Sequence, residues 1–158
     1  MIILFGTPGV GKSFVGKILA HDYGYYFYDA DVDLTPEMIK AVKTQTLYTD
    51  EMRDHYFAIV IKKMAALKLQ QPKLVMAQAL AKEKNRQQIL TQFPEATFML
   101  IEATEANIEK RIRSRVDWIS IDYAKKIRNI FEKPQLKHFV LDNNEDESHI
   151  KQQLEQLD

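Results

Sequence analysis

The sequence predicts an α/β fold of three layers, a five-stranded parallel sheet with helices on both faces. Three observations carry that reading. Strand-length apolar runs alternate with longer stretches whose apolar residues recur at helical spacing, and such alternation implies parallel strands joined by right-handed crossovers. The first apolar run ends in a glycine-rich loop that opens directly into a helical pattern. The 158 residues, 46% of them apolar, suit one domain with an ordinary core, and the chain reads as a single unit over 1–158.

Met1–Phe5 is a continuous apolar run, hence a buried strand. Lys12–Tyr23 follows as a helix with Phe14, Val15, Ile18 and Leu19 on its inner side. Tyr25–Asp29 is the second strand. Thr35-Pro36-Glu37 is a helix start: a capping hydroxyl, a proline at the first position, an acid in the first turn. Thr49-Asp50-Glu51 opens a longer helix with Met52, Tyr56, Ile59, Val60 and Met64 on one face. Lys73–Ala77 is the third strand and Leu80–Thr91 a helix. Thr97–Glu102 is the fourth strand, Thr104 caps a helix over Glu105–Arg115, and Ser120 caps another through Phe131. His138–Leu141 is the last strand, and Ile150, Leu154 and Leu157 mark a closing helix. The acidic run Asp142–Glu147 between them reads as a solvated loop.

Charge and composition exclude several classes. Lysine plus arginine equals aspartate plus glutamate at 22 each, without the basic excess of a nucleic-acid binder. The absence of cysteine excludes disulfides, thiolate metal sites and cysteine nucleophiles, and fits a reducing cytoplasm. The N-terminal apolar run is far short of the roughly 20 residues that span a bilayer. The chain reads as cytoplasmic, a monomer or homodimer, with a small molecule as its partner and neither nucleic acid nor membrane. Histidines 21, 55, 138 and 149 show no metal-ligand spacing.

Gly6-Thr7-Pro8-Gly9-Val10-Gly11-Lys12-Ser13 fits the P-loop pattern G-x-x-x-x-G-K-[ST] at every fixed position, between a strand and a helix as the mechanism requires. Glycines let successive N–H groups turn inward on phosphate oxygens, and the helix N-terminus adds partial positive charge. Gly6, Gly9, Val10, Gly11, Lys12, Ser13 and Phe14 are therefore the residues expected around the phosphates of ATP. Lys12 reaches the β- and γ-phosphates, and the Ser13 hydroxyl holds Mg²⁺.

Asp29-Ala30-Asp31-Val32-Asp33 follows the second strand. A calcium loop is excluded, because Leu34 and Lys40 stand where it needs glycine and glutamate. A solvated acidic turn and a functional site remain. In the functional reading a carboxylate faces the γ-phosphate, accepts the proton of an acceptor hydroxyl and orients Mg²⁺. Asp31 is the expected base and, with Ser13, an expected metal ligand, while Asp29 lies beside the acceptor. Arg53 either pairs with nearby acids such as Glu51 or grips an anionic substrate group with its planar fork. Arg111 and Arg115 share one helix face, and complement its C-terminal dipole or close as a lid around 111–120, Arg111 on the nucleotide and Arg115 on the developing charge. Glu102, ending the fourth strand, could mimic a second carboxylate, although the Asp29–Asp31 pair makes it unnecessary.

A short P-loop, Asp-x-Asp after the second strand, an arginine opening a long helix and an arginine-bearing lid together resemble the gluconate kinase and shikimate kinase group of small P-loop kinases. The gluconate kinases are the nearer likeness: Phe27–Asp31, Leu47–Arg53, Ala77–Lys82 with Arg86, Ile108–Arg111 with Arg115, and Glu132–Pro134 all resemble their segments. The resemblance implies a P-loop kinase-like fold, ATP with Mg²⁺, and phosphorylation of a hydroxyl on a small anionic metabolite, gluconate- or shikimate-like. It also implies that Gln78 and Lys82 lie beside the acceptor. Ala30 replaces a glycine of that pattern, Thr35-Pro36 replaces a histidine-proline pair one position away, and Val116–Ser120 lacks the glycine and the histidine-phenylalanine pair. The paired glycines of shikimate kinases are missing near Ala77–Leu80. A nucleoside or nucleotide kinase, and an ATP-binding protein without phosphotransfer, are the alternatives. No Asn-Lys-x-Asp guanine-reading motif occurs.

Overall fold

Five strands pair in parallel in the order β2-β3-β1-β4-β5, so the P-loop strand lies at the centre. The computed structural model describes residues 1–116 and 118–157. The strands are β1 Ile2–Phe5, β2 Tyr26–Asp29, β3 Leu74–Ala77, β4 Thr97–Glu102 and β5 Phe139–Asp142. The helices are α1 Lys12–Tyr23, α2 Pro36–Lys43, α3 Asp50–Gln70, α4 Glu83–Gln92, α5 Glu105–Ser114, α6 Ile121–Ile130 and α7 Glu147–Glu155. A 3-10 turn, Ala30–Asp33, links β2 to the segment before α2. In β1, Ile3 pairs with Met76 of β3 and Phe98 of β4. Every strand end that carries chemistry therefore opens on the same edge, where ligands of open α/β sheets bind.

The period of two along each strand sorts the core into two layers. Ile3 and Phe5 face Tyr56, Phe57, Val60 and Met64 of α3 and Ile89 of α4. Ile2 and Leu4 face Val15, Ile18 and Leu19 of α1, Ile108 and Ile112 of α5, and Ile150 and Leu154 of α7. Burial of each such aliphatic side chain contributes about 1.5–3 kcal/mol. Among the described residues no helix is long and apolar enough to cross a membrane.

The caps behave as the sequence predicts. Thr35, Thr49, Thr104 and Ser120 each accept from the backbone N–H three residues on. Three expectations need correction. The buried stripe of α3 is Arg53, Tyr56, Phe57, Val60 and Met64, with Ile59 turned outward. An arginine in a core stripe interrupts the apolar pattern by which helix faces are recognised. The helix expected from Leu80 begins at Glu83. Leu80 takes a left-handed φ of 51°, and the carbonyls of Leu80 and Ala81 accept from the Arg86 guanidinium instead of helical N–H groups. The run Asp142–Glu147 is not a free loop, because Asn143 is buried against the P-loop.

Candidate active site

Burial of β1 on both faces brings its end, Phe5, against the centre of the sheet, and the chain leaves it through the glycines. Gly6 and Gly11 hold φ of 146° and 94°, conformations that side chains rarely adopt. Space forbids a side chain as well. A Cβ on Gly6 would lie 2.6 Å from the Ile101 carbonyl oxygen, and one on Gly11 would collide with the Asn143 amide. The loop is braced from outside. Asn143 Nδ2 donates to the Val10 carbonyl at 2.8 Å, while Arg111 donates to the carbonyls of Val10 at 3.2 Å and Asn143 at 2.5 Å. These three bonds fall on carbonyls and so engage none of the loop's N–H groups, the groups a phosphate needs; of those groups, the Gly6 N–H donates to the Ala79 carbonyl at 3.3 Å.

Lys12 extends from the first residue of α1 and folds back, its ammonium donating to the carbonyls of Gly6 at 2.9 Å and Thr7 at 3.0 Å. Burial pushes its pKa down to about 8; Asp31 and Asp29 oppose that shift and Arg115 adds to it. Next to it the Ser13 hydroxyl donates to Asp29 Oδ2 at 3.0 Å. The other Asp29 oxygen accepts from the Asp31 backbone N–H at 3.1 Å, which closes the 3-10 turn and fixes both acids. Burial in the cleft raises the Asp31 carboxyl, the neighbouring Asp29 charge raises it further, and a hydrogen bond from Gln78 works the other way.

Ser13 and Asp29 supply hard oxygen donors side by side, the chemistry that suits Mg²⁺. The pairing differs from the expected Ser13–Asp31 set. Asp29 ends β2 facing α1, whereas Asp31 is drawn across the strand ends to Gln78, whose Nε2 lies 2.9 Å from Asp31 Oδ1.

Gln78 ties Asp31 to α3. Its Nε2 also lies 2.7 Å from the Tyr56 hydroxyl, its Oε1 accepts from the Ala79 N–H at 2.6 Å, and Tyr56 donates in turn to the Ala30 carbonyl. Tyr56 was legible only as a core residue, and nothing in its spacing marks the second role.

A cleft of about 570 Å³ gathers Gly9, Gly11, Lys12, Ser13, Asp29, Asp31, Gln78, Arg111 and Arg115. Arg53 lies just beyond it, in a side cavity of about 50 Å³ that shares Tyr48, Gln78 and Tyr123 with the cleft. Arg53 is 7% exposed and reaches Asp50 at 3.3 Å, not Glu51. Gly6 and Val10 shape the loop from behind, and the Phe14 ring is 42% exposed outside the cleft. Lys82 is not part of the lining: the turn at Leu80 carries it away, to Glu132 at 3.4 Å. Arg86 is fully buried and holds the start of α4, its guanidinium lying against the rings of Phe5 and Phe131. Glu102 lines a separate hollow beside β4 and β5.

The segment after α5 crosses the cleft mouth and is tied to the turn after α2. Ser120 donates to the Gln45 side chain at 2.7 Å, Lys126 to its carbonyl at 3.0 Å, and Tyr123 to the Thr46 carbonyl at 3.0 Å. The Lys43 ammonium sits 4.3 Å from the centre of the Trp118 ring. Within the lid segment 111–120, Asp117 lies outside the described residues.

A glycine cradle at the end of the central parallel strand, a lysine and a hydroxyl at its helix, and acids on the adjoining strand end define a P-loop protein with the architecture of the small kinases. The sequence profile of the AAA domain family matches residues 1–133, and the chain belongs to that family. No curated protein matches the sequence significantly. Among solved structures, a gluconokinase from Sinorhizobium meliloti 1021 superposes with TM-score 0.80 at 21% identity, over 96% of this chain and 86% of that one. A sugar kinase from Janibacter sp. HTCC2649 gives 0.85 at 19%, over 99% and 92%. The shikimate kinase from Aquifex aeolicus gives 0.63 at 21%, over 99% and 94%. At such identity the likenesses establish the fold.

Proposed function

We propose that the protein transfers the γ-phosphoryl group of ATP to a hydroxyl of a small anionic metabolite. The observation that carries this reading is the convergence of Lys12 and Asp31 in one cleft. A phosphate-binding cation and a raised-pKa carboxyl lie together at the strand ends, as phosphoryl transfer to an alcohol requires.

The loop N–H groups and Lys12 hold the phosphates and stabilise charge on the transferring group. Ser13 and Asp29 hold Mg²⁺, which supplies further charge neutralisation when bound. Asp31 accepts the proton of the acceptor hydroxyl as its oxygen bonds to the γ-phosphorus and the bond to the β-phosphate oxygen breaks, releasing ADP. Gln78 and Tyr56 fix the Asp31 carboxylate. Arg53 receives the acceptor's anionic group. Arg111 and Arg115 line the nucleotide side, and the tied segment over the mouth keeps water from the γ-phosphate.

The test is ADP release from Mg-ATP against hydroxy acids, sugars and nucleosides. Stimulation by an acceptor, lost in Lys12→Ala, is the predicted result. Release of free phosphate unaffected by any acceptor would contradict it.

A further inference from the structure

We propose that the acceptor carries its hydroxyl on an aromatic body, and that the site selects such compounds over polyhydroxylated acids. The proposal rests on the phosphotransfer reading above and names the substrate class of that same cleft.

Beyond the phosphate loop, Leu34, Ile39 and Val42 form one side of the cleft, and Ile119, Tyr123 and Ile127 form the other. Trp118 stands at the mouth, 54% exposed. Polar groups on this side are few. Asp31 and Gln78 are already bonded to each other, and the Tyr123 hydroxyl is engaged by Thr46. Ser114, which donates to the Arg111 carbonyl, and Arg115 line the cleft where α5 ends, and the Tyr48 hydroxyl is a further handle, with no hydrogen-bond partner among the described residues.

An open-chain polyol acid needs a partner for every hydroxyl it carries into a cleft. Between two apolar walls its hydroxyls lose water without replacement, each at a cost on the order of tenfold in affinity. An aromatic ring gains by the same transfer, since its faces meet aliphatic and aromatic side chains and only one hydroxyl must reach Asp31. The side cavity at Arg53, about 50 Å³, then has room for a carboxylate on the ring. This wall chemistry also accounts for the departures in the sequence: the residues that replace the glycine and the histidine-phenylalanine pair, between Val116 and Ser120, place Trp118 and Ile119 on the cleft.

The experiment is calorimetric titration of the full chain, saturated with Mg²⁺ and a non-hydrolysable ATP analogue, with four monoanions: 3- and 4-(hydroxymethyl)benzoate, gluconate and shikimate. Charge is matched, so the body alone differs. The fluorescence of Trp118, the single tryptophan, places binding at the cleft. At least one aromatic acid is expected to bind ten or more times tighter than gluconate and shikimate and to alter Trp118 emission. Ile39→Asn and Ile127→Asn, on half-buried wall positions, should each narrow that ratio. Gluconate or shikimate binding as tightly as both aromatic acids, or no binding by any of the four, would overturn the proposal. An aromatic acid that binds but is not phosphorylated with ATP would uphold the ligand class and refute the phosphotransfer reading.

Discussion

Gln78 fixes Asp31 through a 2.9 Å hydrogen bond from its amide nitrogen to a carboxylate oxygen, and the same nitrogen lies 2.7 Å from the Tyr56 hydroxyl. The bond favours the charged carboxylate, against the burial and the Asp29 charge that raise it. Asp31 must be deprotonated to accept a proton, so the rate falls as pH drops through its pKa. Gln78→Leu removes a lowering influence, and the acidic limb of the kcat profile should move to higher pH. An unmoved limb in an active variant would show that Gln78 does not act through Asp31.

In the proposed reaction Lys12 binds phosphate as the ammonium. Its pKa of about 8 implies that ATP affinity is greatest below that pH and declines above it, by at most about tenfold per unit. Phosphate binding favours the charged form, so the complex should take up a proton near pH 9, visible as a buffer-dependent heat in calorimetry. Affinity that is flat from pH 7 to 10 would contradict this placement of the lysine.

Arg53 and Lys82 separate by the same test. A charge-assisted bond from Arg53 to an anionic acceptor is worth about 1.5–3 kcal/mol, so Arg53→Ala should raise KM about ten- to a hundredfold, with a smaller effect on kcat. Lys82 makes an ion pair with Glu132 outside the cleft, a contact worth about 0–1 kcal/mol. Lys82→Ala should leave both constants within about twofold. The reverse ranking would place the acceptor elsewhere.

Arg86 is a matter of stability. It is fully buried, bonded to Glu83 at 2.8 Å and to the carbonyls of Leu80, Ala81 and Glu132. Arg86→Ala strands these acceptors and should cost about 3–5 kcal/mol in denaturant unfolding. A loss below about 1 kcal/mol would refute this structural role.

These tests divide along what the sequence made legible. The parallel sheet, the P-loop and the four hydroxyl caps could be read because local patterns determine them: apolar runs, a glycine spacing, a threonine or serine before a helix. Arg53 and Arg86 could not be read as buried, because charge is ordinarily a surface signal and only the partners reveal otherwise. Asn143 was hidden in an acidic run. Its contact with Val10 spans most of the chain, and its one advance signal was a position just past a strand end of a parallel sheet. The pairing of Asp29 with Ser13, and of Asp31 with Gln78, depends on how β2, α1 and β3 converge, which no local spacing encodes.

In the proposed reaction one cleft passes the γ-phosphoryl group of ATP to a hydroxyl with Asp31 as base. Phosphorus NMR of the products formed from Mg-ATP and the best acceptor distinguishes this transfer from hydrolysis. A phosphate monoester and ADP in equal amounts are expected from the native chain, with the rate reduced by orders of magnitude in Asp31→Asn while ATP binding persists. Inorganic phosphate in place of the ester, or an Asp31→Asn variant forming ester at the native rate, would contradict it.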